Sequence, residues 1–76
     1  MEIHTSSLRE RAVYLTDTLE RLLTTLRFME QEIKGLEGWS EEERERALSY
    51  VSDCIRRSRD SRLLTKELVL LLPKDM

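Results

Sequence analysis

Arginine is concentrated in one short stretch of this sequence, as Arg56, Arg57, Arg59 and Arg62. On a helix Arg56, Arg59 and Arg62 recur about one turn apart, which gathers three guanidinium groups on one side. A guanidinium matches phosphate and carboxylate with paired hydrogen bonds, so the stripe offers two kinds of contact. It can follow a nucleic-acid backbone, or it can bridge to acidic side chains such as Asp17 and Glu20 on a neighbouring helix. No aromatic residue interleaves the stripe, and the chain carries a formal net charge of −2. Both facts weigh against a strong RNA or DNA surface. A structural or solvated role is the favoured expectation.

The other reactive groups are sparse. His4 is the only histidine and Cys54 the only cysteine. Pairing them for nucleophilic chemistry needs two distant positions to meet, with no third group to orient the imidazole. One His and one Cys make no metal-ligand cluster either. Glu41, Glu42 and Glu43 crowd what reads as a helix start, where the helix dipole favours negative charge. No glycine-rich phosphate loop is present. Neither an enzyme nor a cofactor, metal or small-molecule site is expected.

Helices must position whatever these residues do. The 76 residues are 37% charged and 39% hydrophobic, with two Gly and one Pro. That balance predicts an all-α chain, one domain over residues 1–76. From Leu8 to Leu36 runs an unbroken 4-3 repeat: Leu8, Ala12, Leu15, Leu19, Leu22, Leu26, Met29, Ile33 and Leu36. Such steps hold side chains on one stripe of a helix. Ser7 with Glu10 reads as a capping box, and Gly35 as a helix C-cap. The first helix is therefore expected over 8–36, with a turn at 35–40 that holds both glycines and Trp39. Ser40 with Glu43 forms a second capping box, and Pro73 forbids continuation. The second helix is expected over 41–72, continuous through the polar stretch 56–62, with a frayed tail after it.

A short turn makes the two helices antiparallel neighbours. Folding about Gly38 sets Leu26 near Val51, Leu22 near Ile55, Leu19 near Ser58 and Ala12 near Thr65. The middle of that ladder is mismatched, because it faces Leu15 and Leu19 with arginine and serine. It also leaves Val13, Leu23, Phe28, Leu64, Leu68 and Leu71 partly exposed. The positions flanking the repeat are Thr16, Thr18, Leu23 and Thr25 in the middle, where a two-stranded coiled coil carries charges. The apolar face is thus wide enough for a multi-helix bundle. Leu15, Leu19, Leu23, Phe28, Leu64, Leu68 and Leu71 become the expected protein interface. Leu22, at the centre of the seam, is expected to tolerate no charge.

A small helical interaction module follows, such as an adaptor, a chaperone-like protein or an assembly subunit. The expected partner is a second copy or another helical protein, completing a four-helix bundle or coiled-coil assembly. The alternative is a dimeric nucleic-acid-binding regulator using Arg56, Arg59 and Arg62. In architecture alone, such a hairpin dimer resembles the plasmid copy-number regulator Rop. No charged leader precedes an apolar segment, and the apolar run at 68–72 is too short to span a bilayer. A lone cysteine suits a reducing compartment. The expectation is a soluble intracellular protein, cytoplasmic or nuclear, without membrane contact.

Overall fold

The computed structural model describes the backbone of residues 5–73 and the side chains of residues 8–73. His4, the tail at 74–76 and the Ser7 side chain lie outside that description. Two helices make up the described chain, α1 (Thr5–Lys34) and α2 (Glu41–Leu71). They pack side by side as an antiparallel hairpin 55 Å long. The all-α hairpin is what forms.

The helix ends differ in detail from expectation. The described part of α1 already includes Thr5, ahead of the expected start at Leu8, so the backbone of Ser7 is helical. Nothing in Thr5-Ser6-Ser7 stops a helix, since neither Pro nor Gly is present. At the other end α1 stops at Lys34, and the Leu36 amide closes a tighter turn on the Ile33 carbonyl at 3.3 Å. The left-handed residue is Gly38, with φ 88°, rather than Gly35. Only there does the turn require glycine.

α2 starts as its sequence dictates. Ser40 Oγ accepts from the Glu43 amide at 3.1 Å, and the Ser40 amide donates back to Glu43 Oε1 at 3.3 Å. The helix runs unbroken through Ser58 and Ser61. It ends where Leu72 turns extended, with φ −77° and ψ 138°. A residue before proline is pushed out of the helical region, and Pro73 follows directly.

The register lies one helical turn away from the expected one. The Thr16 and Thr65 hydroxyls sit 2.9 Å apart, where Ala12 was expected to face Thr65. The pair shares its two hydroxyl protons with the Ala12 carbonyl, 2.9 Å from Thr16, and the Arg62 carbonyl, 3.0 Å from Thr65. One heptad along, the same register sets Leu23 against Ser58. A shift of one turn keeps the same face of α2 in contact and moves only its height.

An arginine ties each end of the hairpin. Arg9 Nη1 on α1 donates to the carbonyls of Val69 at 2.7 Å and Leu72 at 3.4 Å. Arg44 on α2 donates to the Leu36 carbonyl in the turn that follows α1, and to Glu41 Oε1 at 3.1 Å. The last carbonyls of a helix lack intrahelical partners and carry its negative dipole end. α2 has no basic residue in its own last turn, so Arg9 supplies one from across the pair. Arg9→Ala is expected to cost about 1–2 kcal/mol, the range of a partly exposed charge-assisted bond. Urea unfolding measures that loss, and faster amide exchange near Leu72 locates it.

Candidate interaction surface

The buried stripe of α1 is not the leucine repeat read from sequence. Its most covered side chains are Ala12, Thr16, Leu23 and Leu26, with Arg9, Leu19, Glu30 and Ile33 half-buried. These recur in steps of three and four, as a seam must. They keep Ala12, Leu19, Leu26 and Ile33 of the expected repeat. They replace Leu8, Leu15, Leu22 and Met29 with the residues one position later. α1 is therefore rotated by about 50° from the expected orientation, half of the 100° between consecutive residues.

α2 explains the rotation. Its own covered stripe is Arg44, Leu48, Val51, Ile55, Ser58, Arg62, Thr65, Val69 and Leu72, again in steps of three and four. Four of these side chains are polar. They meet polar or small residues of α1 better than they meet leucine, as the Thr16–Thr65 bond demonstrates. Leu23 is the exception and becomes the most buried residue of the protein, 1% exposed. Ser58 is small enough to leave it room. Leu23, expected to lie partly exposed, is thus a core residue. Leu22, expected at the seam centre, is 43% exposed.

Two faces flank the seam. Residues one position after the seam share one side, because the helices run antiparallel. Val13, Asp17, Lys66 and Leu70 of that side line one open groove, and Thr24, Arg27, Ser52 and Arg59 line another. On α1 this face reads Glu10, Val13, Asp17, Glu20, Thr24, Arg27, Gln31 and Lys34. It is mostly charged. Residues one position before the seam share the opposite side. There α1 presents Leu8, Arg11, Leu15, Thr18, Leu22, Thr25, Met29 and Glu32.

This second face is the candidate site. Leu8, Leu15, Leu22 and Met29 are each between 43% and 47% exposed, and Leu36 extends the row into the turn. Met29, Glu32 and Leu36 border one shallow groove. From α2 the same side gains Ala47, Cys54, Ser61 and Leu68, with Leu64 and Leu71 further out. Thr18 and Thr25 donate their hydroxyls to the Tyr14 and Arg21 carbonyls at 2.9 and 3.1 Å. Covering them strands no donor. Exposed apolar rows of this length mark interaction surfaces.

The expected interface residues therefore divide. Leu15, Leu64, Leu68 and Leu71 lie on or beside the apolar face, while Leu19 and Leu23 belong to the intramolecular seam. Phe28 is exposed on the other side, beside Ile55 and Arg59. The arginine stripe divides as well. Arg56 pairs with Asp53 at 3.1 Å on its own helix. Arg59 lines the charged-side groove. Arg62 sits in the seam with its Nε buried and unpartnered. Glu20 meets Lys66 at 3.8 Å rather than an arginine of the stripe. Among the described residues no group of His, Cys, Asp and Glu could hold a metal ion. Among them, too, no helix is long and apolar enough to cross a membrane.

Comparison with protein-family models, curated proteins and solved structures gave no match. Sequence reasoning missed Arg9 and Thr16 as seam residues because they are polar, whereas Ser58 and Thr65 stood on the expected ladder opposite other partners. The signal was present nonetheless. The covered stripe of α2 is a strict 4-3 repeat once polar members are admitted.

Proposed function

We propose that this protein is a helical protein–protein interaction module whose working surface is the face bearing Leu8, Leu15, Leu22 and Met29. A single observation carries the reading. The hairpin turns a half-polar stripe inward and leaves its most regular leucine row uncovered. Among the described residues only Ala12, Leu23, Leu26 and Val51 are buried apolar side chains. A chain of this length is already near the limit for folding on one core. Covering the outer row adds about 1 kcal/mol for each half-exposed leucine or methionine, half the value of full burial. The outcome is a four-helix bundle, in which the second pair of helices covers that row.

A nucleic-acid contact through Arg56, Arg59 and Arg62 has less support. The three guanidiniums do not share one exposed face, and Asp53 and Glu30 lie among them. Sedimentation equilibrium of the purified chain at micromolar concentration tests the proposal. The expected species holds four helices and has a melting temperature that rises with concentration. A stably folded single chain across that range overturns the proposal.

A further inference from the structure

Resting on that reading, we infer that the partner is a second copy of this chain, lying antiparallel with a two-fold axis beside Leu22. The apolar face of α1 is chemically palindromic about that residue. Reversing the helix on itself sets Leu22 against Leu22, Leu15 against Met29, and Leu8 against Leu36. The flanking row then sets Thr18 against Thr25, and Arg11 against Glu32. Arg11 and Glu32 are the only charged residues of this α1 face, and both are exposed. They carry opposite signs and stand eleven and ten positions from Leu22, so their midpoint falls half a residue from it. A parallel pairing sets Arg11 against Arg11 and Glu32 against Glu32, like charges at both ends. Flanking charges of this kind fix orientation in helical pairs.

α2 agrees with the same axis. With α1 on α1, α2 lies on its own copy, and its inner row pairs Ala47 with Leu68 and Cys54 with Ser61. A small residue meets a large one in the first pair, and two small residues meet in the second. The axis so defined falls between Arg57 and Ser58. Leu23 is level with Ser58, so the axis lies within about two residues, or 3 Å, of Leu22. Arg57 of each copy, in the same row of the face as Leu64 and Leu71, stands near that axis. Arg21, beside Leu22, approaches its copy as well; these are like-charge approaches within the arrangement.

Charge reversal on the exposed pair tests the arrangement without touching the hairpin core. Arg11→Glu alone, or Glu32→Arg alone, sets like charges together at both ends of the dimer. Either is expected to weaken dimerisation about tenfold at low salt, from two symmetric surface pairs. The double variant restores opposite charges and should return within about threefold of the parent. Cross-linking supplies a second readout. In the antiparallel dimer the two Cys54 residues stand about 10 Å apart along the axis, too far for a disulfide. Ser61→Cys sets a thiol opposite Cys54 of the partner copy, and a covalent dimer is expected under mild oxidation.

The outcomes separate the two claims. A dimer dispersed by Leu22→Asp, but indifferent to the charge exchange and cross-linked through Cys54 alone, refutes the antiparallel axis and keeps the apolar face. A folded chain that stays single at every concentration refutes both.

Discussion

Leu23→Asp is expected to abolish the helical hairpin, so that far-ultraviolet circular dichroism loses its helical signal at any accessible concentration. Leu23 is 1% exposed and lies against Ser58 in the seam. Truncation of such a leucine alone costs about 2–5 kcal/mol. The aspartate adds a charge at a site withdrawn from water, which costs further stability. A chain of this size has roughly 4–11 kcal/mol of stability in all, so the sum removes most or all of it. Leu23→Ala gives the milder form of the same test, with a loss near 3 kcal/mol. A helical, cooperatively melting Leu23→Asp chain would show that the seam has been placed on the wrong stripe.

Its neighbour is expected to behave differently. Leu22→Asp sits 43% exposed on the uncovered face, so within one hairpin the aspartate keeps its water. In an assembly it sets two carboxylates against each other at the centre of the contact. Loss of association by at least a hundredfold is expected, about 3 kcal/mol or more for desolvating unpaired charge. Sedimentation equilibrium reads that change. The thermal midpoint should fall and stop depending on concentration, because a single chain no longer gains from mass action. Retained assembly in Leu22→Asp would remove the leucine row from the interface. Adjacent residues thus separate folding from association, a reversal of the sequence expectation that Leu22 holds the hairpin itself.

That reversal shows where the sequence was legible and where it was not. The turn was readable because local chemistry decides it. Ser40 and Glu43 form a box that needs no distant partner, and Pro73 ends α2 through its own ring. The two-helix order was readable for the same reason. Which stripe faces inward is a non-local choice, made by the residues that α2 brings to the contact. A search for apolar positions finds Leu8, Leu15 and Leu22 and passes over Thr16, although Thr16 is 8% exposed. It also passes over Arg9, whose charge finds carbonyl oxygens sixty residues away in sequence. The leucine repeat was correctly seen, and only half of it belongs to the seam.

The exposure of the candidate face was legible to the same degree. Leu15, Leu64, Leu68 and Leu71 were expected at an interface because a lone hairpin cannot cover them, and all four are exposed. Arg56, Arg59 and Arg62 were expected on one side of a helix. Spacing places them there, but the position of α1 decides which of them meets solvent. Arg62 falls under α1 and Arg56 does not. Rotation about the helix axis is the quantity that a single sequence leaves undetermined.

The arginine at the open end of the hairpin has a consequence for how the chain comes apart. An antiparallel helix pair joined at one end resembles a zip, and its free ends ordinarily loosen first. Arg9 spans that opening and joins residues 60 and 63 positions away, while Gly38 closes the opposite end covalently. The molecule is in effect a ring with one reversible link. The two helix ends that it joins do not come apart independently, because freeing either one breaks the same bonds. Closing the link is also the most expensive loop closure in the fold. The contact therefore couples the last turn of α2 to the first turns of α1, and Arg9→Ala is expected to let the two ends exchange their amides independently.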